Sequence, residues 1–159
     1  DRYPIPFGSY DLIDELGTGG MGVVFRAKHR SMGRIVALKM LLGGRYASPA
    51  EQRRCQRESQ AVMQLDHPNI VKVFTVDEWD GHAFFTMQLM AGGTLIQQRR
   101  RHLLSPQQVA AIVAELADAV QHAHQRGILH RDIKPTNILF VESGRAYLAE
   151  FGLAKLTNT

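Results

Sequence analysis

The chain is poor in cysteine and has no long apolar run, and each absence excludes a class of protein. Its 159 residues include one cysteine, Cys55, which cannot form a disulfide within the chain and fits a reducing compartment. No segment approaches the ~18 consecutive apolar residues that a membrane helix requires. The opening DRYPIPFGSY also lacks the apolar centre of a secretory signal. We therefore expect a cytoplasmic segment without membrane contact.

Neither the charge nor the composition is extreme. The net charge is +4, and 45% of the residues are hydrophobic, as in an ordinary globular domain that buries a core. Part of the basic excess lies in residues 97–102, QQRRRH, which would suit nucleic acid or an acidic peptide. No aromatic side chains alternate with these arginines, as a stacking surface for single-stranded nucleic acid requires. A solvated helix end is the favoured interpretation, and we expect no nucleic-acid partner.

Strand signals dominate the first ninety or so residues, and helical signals follow. Alternation and turn residues predict strands at 10–16, 23–28, 35–41, 70–76 and 83–89. A helix from Ser48 to about Leu65 is inserted after the third strand. The pattern predicts an α+β fold, with an antiparallel five-stranded sheet and one helix in the first part.

The second part of the chain opens with a paired glycine. Gly92 and Gly93 mark the expected boundary between a first lobe, residues 1–91, and a second lobe, residues 92–159. A helix capped by Ser105 carries an apolar stripe and ends at Gly127. A short hairpin is then expected over 138–141 and 146–149.

A glycine-rich segment lies between the first two predicted strands. Residues 16–24 read LGTGGMGVV and fit the pattern G-x-G-x-x-G-x-V. Glycines let a backbone approach phosphates closely, although this pattern alone is weak evidence. In a dinucleotide-binding fold such glycines lead into a helix, whereas here a strand follows at Val23. This context counts against a dinucleotide oxidoreductase.

A lysine and a glutamate form the second candidate group. Lys39 lies within the apolar strand 35–41, where its ammonium group must reach an anion or leave the interior. Glu58 falls on the apolar stripe of the first helix with Cys55 and Val62. Because an isolated inward carboxylate is costly, we expect Glu58 to pair with Lys39. An edge-strand lysine is the alternative interpretation.

The densest polar group follows the second helix. Residues 128–137 read ILHRDIKPTN and form a loop before an apolar strand. Asp132 offers a base, Lys134 a cation that neutralises phosphate, and Asn137 a neutral oxygen ligand for magnesium. A merely solvated loop would not be expected to combine these groups.

Together, four motifs in this order resemble the eukaryotic-type protein kinase family, in a bacterial serine/threonine version. They are the glycine loop, Val36-Ala37-Leu38-Lys39, the segment from His130 to Asn137, and Glu150-Phe151-Gly152. The resemblance covers essentially the whole chain. It implies a bilobal kinase fold, ATP and Mg²⁺ as cofactors, and phosphorylation of serine or threonine hydroxyls on a protein substrate.

The resemblance also assigns roles to individual residues. Lys39 would hold the α- and β-phosphates and Glu58 would hold Lys39. Asp132 would accept the substrate proton and Lys134 would neutralise charge, while Arg131 resembles the arginine that grips a phosphorylated activation segment. Asn137 and Glu150 would bind magnesium. The residues expected around ATP are Leu16, Gly17, Thr18, Gly19, Gly20, Met21, Gly22, Val23, Val24, Ala37, Lys39, Met87 as gatekeeper, Gln88, Met90 and Leu139.

Two departures from the family pattern matter. Glu150 stands where the family has an aspartate, and its extra methylene displaces a carboxylate in a shell that tolerates displacement poorly. After Thr159 there is no Ala-Pro-Glu element or further helix, so we expect a fragment of a kinase domain. Both features support the alternative of an ATP-binding pseudokinase or scaffold. Many bacterial relatives continue into membrane segments, so these features are compatible with a parent protein that is attached to a membrane.

Overall fold

The fold is known from a computed structural model that describes most of the chain. It describes residues 2–19, 22–41, 49–101, 104–130 and 133–149, without the side chains at 51, 52, 54–56 and 58. The chain divides into two compact units. The described residues up to 59, with 73–89, form the first unit, and those at 60–72 and from 90 onward form the second.

The first unit is built on a six-stranded antiparallel sheet. Its strands, in chain order, are β1 (Ile5–Phe7), β2 (Tyr10–Gly19), β3 (Gly22–His29), β4 (Ile35–Leu41), β5 (Val73–Trp79) and β6 (His82–Met87). They are ordered β1-β2-β3-β4-β6-β5 across the sheet. The five strands expected from the sequence are all present. The sheet also contains a sixth strand, so the expected count of five is wrong.

The additional strand is β1, which pairs with β2 through Ile5 and Leu12. Phe7 is 3% exposed and packs edge-on against Phe84 and Trp79, with ring centroids 5.1 and 4.8 Å apart. The strand is therefore held by packing with a distant part of the chain. One face of the sheet forms a core cluster of Phe7, Tyr10, Leu12, Ala27, Val36, Leu38 and Phe84.

The first residue of β3 is a glycine that a close backbone approach requires. At Gly22, φ is +158°, and an added Cβ would lie 2.2 Å from the Met40 carbonyl oxygen. A side chain here would push β3 away from β4. At Gly17, by contrast, an added Cβ would meet nothing within 4 Å. Open space therefore lies beside this position of β2.

The first helix, α1 (Pro49–Met63), begins with a proline at its first position. Proline suits this position because its fixed φ is helical and its missing N–H would lack a partner there. Val62, near the end of the helix, and Leu65 just beyond it are 4% and 2% exposed, which confirms the expected apolar stripe at these positions. The predicted cap Ser48 and the side chains of Cys55 and Glu58 lie outside what the structure describes.

The second unit contains two helices and a hairpin. Its elements are α2 (Leu95–Arg101), α3 (Pro106–Gln125), a 3₁₀ turn (Pro135–Asn137), β7 (Ile138–Phe140) and β8 (Ala146–Leu148). Ser105 caps α3 in a complete capping box with Gln108, as expected. In the described part of the chain, no helix combines the length and apolar character needed to cross a membrane.

The hairpin of β7 and β8 is extended by the segment that follows α1. The Val71 N–H donates to the Leu148 carbonyl at 3.0 Å, and the Leu148 N–H donates to the Asn69 carbonyl at 2.8 Å. The Asn69 side chain also donates to the Ala146 carbonyl at 2.9 Å. Segment 67–72 is therefore fixed against β8.

Candidate functional site

Strand pairing in the first unit brings several of the sequence-predicted residues into one row across the sheet. Val24 lies opposite both Gly17 and Lys39, and Lys39 lies opposite Phe85 on β6. Directly opposed residues of antiparallel strands project to the same face of a sheet. The glycine segment, Val24 and Lys39 are therefore neighbours on one face.

A second row on this face contains the expected gatekeeper. Ala37 lies opposite Met87, and alternation along β4 puts Ala37 and Lys39 on the same face. Ala37 and Met87 are 4% and 6% exposed, whereas Leu16 is 49% exposed. Ala37 and Met87 therefore form a buried apolar surface next to Lys39, while Leu16 lies on β2, two strands away from β4.

The remaining nucleotide-site candidates lie at the end of β2, after β6, or outside this sheet. Gln88 and Met90 come after the last residue of β6 and are half-buried. Leu139, in the second unit, lies in the centre of β7 opposite Tyr147. Thr18, near the end of β2, donates a hydrogen bond to the Glu15 carboxylate. Gly20 and Met21 lie outside the described residues.

Lys39 has a partly buried position on β4 between β3 and β6. This central position removes the edge-strand explanation of the lysine, because both neighbouring strands pair with β4. The expected partner, Glu58, belongs to α1, but its side chain lies outside what the structure describes. The pairing of Lys39 with Glu58 stays a prediction.

In the second unit, the loop before β7 leads into a buried amide. Asn137 is 5% exposed at the end of the 3₁₀ turn, whose first hydrogen bond runs from the Asn137 N–H to the Lys134 carbonyl at 2.9 Å. Lys134 itself is exposed. Arg131 and Asp132 lie outside the described residues, so the predicted base has no described geometry.

The peptide group of Ala149 is held from both sides. Its N–H donates to the Asn137 carbonyl at 2.8 Å, and its carbonyl lies 2.6 Å from His130 Nε2. His130 is 2% exposed. Because the carbonyl oxygen can only accept, the proton must be on Nε2. These bonds fix the residue that precedes Glu150, although Glu150 itself lies outside the described residues.

This arrangement fits a magnesium site. An amide oxygen and a carboxylate are ligands that magnesium prefers, and the Ala149 bond holds Asn137 one residue from Glu150. Among the described residues there is no group of three histidine, cysteine, aspartate or glutamate side chains that could hold a metal. The fit therefore depends on Asn137 and on the carboxylate of Glu150.

The arginines of α2 and the histidines of α3 lie in other environments. Arg99, Arg100 and Arg101 occupy the last turn of α2 and are exposed, as a solvated helix end requires. The ring of His122 on α3 contacts the ring of His67 at a tilt, with ring centroids 5.0 Å apart, while His124 is exposed. Burial, and secondarily the nearby Arg126, lowers the pKa of His122 below its ordinary value of 6.5.

Sequence reasoning missed the role of the segment after α1. His67 Nε2 lies 2.8 Å from the Asp118 carboxylate, and its Nδ1 accepts the Asn69 N–H at 3.0 Å. Lys72 donates to the Met63 and Leu65 carbonyls at 2.8 and 3.4 Å. The sequence signal in this segment is His67-Pro68-Asn69, where the proline by itself indicates only that a helix ends before it.

Comparison with known proteins identifies the family. The model of the protein kinase domain matches residues 10–159. The chain is 37% identical over 153 residues to the serine/threonine-protein kinase PknH of Mycobacterium bovis, a match that covers 96% of this chain and 26% of PknH. It is 40% identical over 154 residues to the serine/threonine-protein kinase PknD of Mycobacterium tuberculosis, covering 96% of this chain and 23% of PknD.

Solved structures agree with this assignment. The crystal structure of the Mycobacterium tuberculosis PknI kinase domain matches with a TM-score of 0.82 at 34% identity, over 94% of this chain and 62% of that chain. The chain thus spans about a quarter of the length of PknH and PknD. These relatives carry kinase names, and none of them supports the pseudokinase alternative. The α+β kinase fold expected from the sequence is confirmed, and the chain belongs to the protein kinase domain family.

Proposed function

We propose that the chain supplies the nucleotide-binding and catalytic-loop part of a bacterial serine/threonine protein kinase. The reaction is transfer of the γ-phosphoryl group of ATP to a serine or threonine hydroxyl of a protein. The observation that carries the proposal is the Ala149 peptide, which is bonded to both Asn137 and His130. Its bonds tie the proposed catalytic loop to the strand that leads into Glu150.

The nucleotide end of the site belongs to the sheet. Lys39 supplies a fixed cation for the α- and β-phosphates, and its ammonium group is held in place by the carboxylate of Glu58. Gly17 and Gly22 let the backbone of the loop approach phosphate oxygens. Leu16, Val24, Ala37 and Leu139 supply apolar contacts to adenine, with Met87 as gatekeeper and the Gln88 carbonyl and Met90 N–H as its polar partners.

The transfer end of the site belongs to the loop before β7. Asp132 orients the substrate hydroxyl and accepts its proton, and Lys134 neutralises charge on the transferred group. Asn137 and Glu150 would hold magnesium. Magnesium neutralises phosphate charge when bound. Because Glu150 is one methylene longer than aspartate, and magnesium tolerates displaced ligands poorly, we expect slower transfer than with aspartate at this position.

We also propose residues 1–91 and 92–159 as the two lobes. Apart from residues 60–72, the second compact unit starts at Met90, close to this boundary. The Gly92 N–H and the Gly93 carbonyl bond to Phe140 of β7, which supports counting both glycines with the second lobe. A reducing, cytoplasmic setting is the one that the single cysteine favours.

The test is phosphate transfer by the natural full-length protein. Radiolabelled γ-phosphate from ATP is followed onto a generic protein substrate, and the labelled amino acid is identified after hydrolysis. We expect labelled serine or threonine with the wild type. Asp132→Asn should abolish transfer while nucleotide affinity, measured by calorimetry, is largely kept. Transfer by Asp132→Asn at the wild-type rate would refute the role of Asp132, and binding without any transfer by the wild type would refute the kinase function.

A further inference from the structure

The C-terminal end of α1 is capped by a side chain from outside the helix. The last turn of α1 contains no basic residue. The carbonyls at this end lack partners within the helix and carry the negative end of its dipole. The N–H groups of Gln64 and Leu65 bond the carbonyls of residues 60–62. The Lys72 ammonium group donates to the last carbonyl of the helix, that of Met63, at 2.8 Å, and its Nζ also lies 3.4 Å from the Leu65 oxygen just beyond the helix.

This cap matters because the described part of α1 is anchored mainly near its C-terminal end. Among its described side chains, Ser59 and Val62 are buried, whereas Arg53, Arg57 and Gln60 are exposed. Glu58 lies five residues before Met63, a distance of about 7.5 Å along the axis. Forces that hold the last turn of α1 therefore act within two turns of Glu58.

The backbone that carries Lys72 is itself fixed. The preceding residue, Val71, donates to the Leu148 carbonyl on β8, and the following residue, Val73, begins β5. Further back in the segment, Asn69 bonds to Ala146 and also donates to Glu115 of α3 at 3.4 Å. Lys72 therefore joins the end of α1 to the hairpin whose second strand leads toward Glu150.

We propose that Lys72 is a positioning residue for the kinase reaction. Its ammonium group holds the end of α1 against segment 67–72 and so keeps Glu58 in place to pair with Lys39. This inference rests on the proposed function. Lys72 touches neither nucleotide nor substrate in this role. It affects the position of the Glu58 side chain only through the helix that carries Glu58.

The experiment compares Lys72→Met, Lys72→Arg and Lys28→Met in the natural full-length protein. Methionine keeps the length of the side chain without its charge, arginine keeps a cationic donor, and Lys28 is an exposed lysine on β3. The measurements are kcat per nucleotide-binding site, KM for the protein substrate, the melting temperature, and hydrogen exchange of the α1 amides.

We expect Lys72→Met to lower kcat about tenfold, equivalent to ~1.4 kcal/mol, with KM changed less than about twofold. The amides at the end of α1 should exchange about tenfold faster in the same variant. Lys72→Arg should keep kcat and the exchange of the α1 amides close to their wild-type values, and Lys28→Met should change neither quantity.

Two kinds of outcome would overturn the proposal. An unchanged kcat and unchanged exchange would show that the cap does not position α1. A lower melting temperature with wild-type kcat per binding site, or a failure of arginine to rescue, would show a purely structural lysine. If Lys72→Met does not fold, Lys72→Gln is judged by the same outcomes. If the wild type transfers no phosphate, the proposed function fails while the exchange measurement still decides whether Lys72 holds α1.

Discussion

Replacing His130 with leucine tests whether the bonded Ala149 peptide supports catalysis. His130 is 2% exposed, and its Nε2 donates to the Ala149 carbonyl at 2.6 Å. Leucine occupies a similar apolar volume but has no donor. The substitution therefore removes this bond at the residue immediately before Glu150 and leaves the backbone of the loop chemically unchanged.

The expected magnitude follows from the burial of both partners. Ala149 is 3% exposed, so its carbonyl has little access to water once the donor is lost. Leaving a buried acceptor without this partner costs about 1–3 kcal/mol of stability. A displacement of Glu150 by about 1 Å would lower the rate of phosphate transfer about a hundredfold. We therefore expect a moderate loss of stability and a large loss of kcat.

The assay measures urea unfolding and kcat as a function of Mg²⁺ concentration in the full-length protein. His130→Gln, whose side-chain amide can place a donor near the position of Nε2, should recover part of the activity. The matched control is His124→Leu, because His124 is exposed on α3. If His130→Leu keeps kcat within about threefold of the wild type at every Mg²⁺ concentration, the bond from His130 to Ala149 does not support catalysis.

Three further predictions concern single side chains. Thr86 is fully buried and its hydroxyl oxygen has no partner among the described residues, so Thr86→Val should raise the free energy of unfolding by about 1 kcal/mol; an unchanged or lower urea midpoint would contradict this. Because burial lowers the pKa of His122 below 6.5, the unfolded chain binds more protons below that pH, and stability should fall as pH decreases from 7.5 to 5.5. His122→Phe should flatten this dependence, and equal slopes for both proteins would count against it. Glu150→Asp should raise the turnover rate by restoring the shorter carboxylate, and an equal or lower rate would argue that Glu150 is well placed for the metal.

Elements with local signals could be predicted from the sequence. Ser105 and Gln108 form the expected capping box at the start of α3. The β2, β3 and β4 strands appear where alternation and glycine turns placed them, because each pairs with a neighbour close in the chain. The same holds for the hairpin of β7 and β8.

One missed element also had a local signal. Thr94 and Gln97 bond reciprocally, with the Thr94 N–H donating to Gln97 Oε1 at 2.9 Å and the Gln97 N–H donating to Thr94 Oγ1 at 3.3 Å. This is a capping box, and it begins α2. Residues 97–102 are interpreted by their charge in the sequence analysis, and the capping box at Thr94 is not used there to predict where the helix begins.

Other features depend on contacts between distant residues and could not be predicted. Prolines flank Ile5, so the strand signal of β1 is weak, and its place is set by Trp79 and Phe84 packing on Phe7. The bonds from Lys72 to α1 likewise require that segment 67–72 is already fixed on β8. Single-residue patterns carry no information on either contact.

A crystal structure of the full-length protein with a non-hydrolysable ATP analogue and Mg²⁺ would test the proposed ATP site most directly. In it, Lys39 Nζ should lie within about 3 Å of both a phosphate oxygen and the Glu58 carboxylate. Oxygens of Asn137 and Glu150 should lie about 2.1 Å from magnesium. Lys39 and Glu58 pointing apart around a bound analogue, or a metal held without Asn137, would contradict the proposed site.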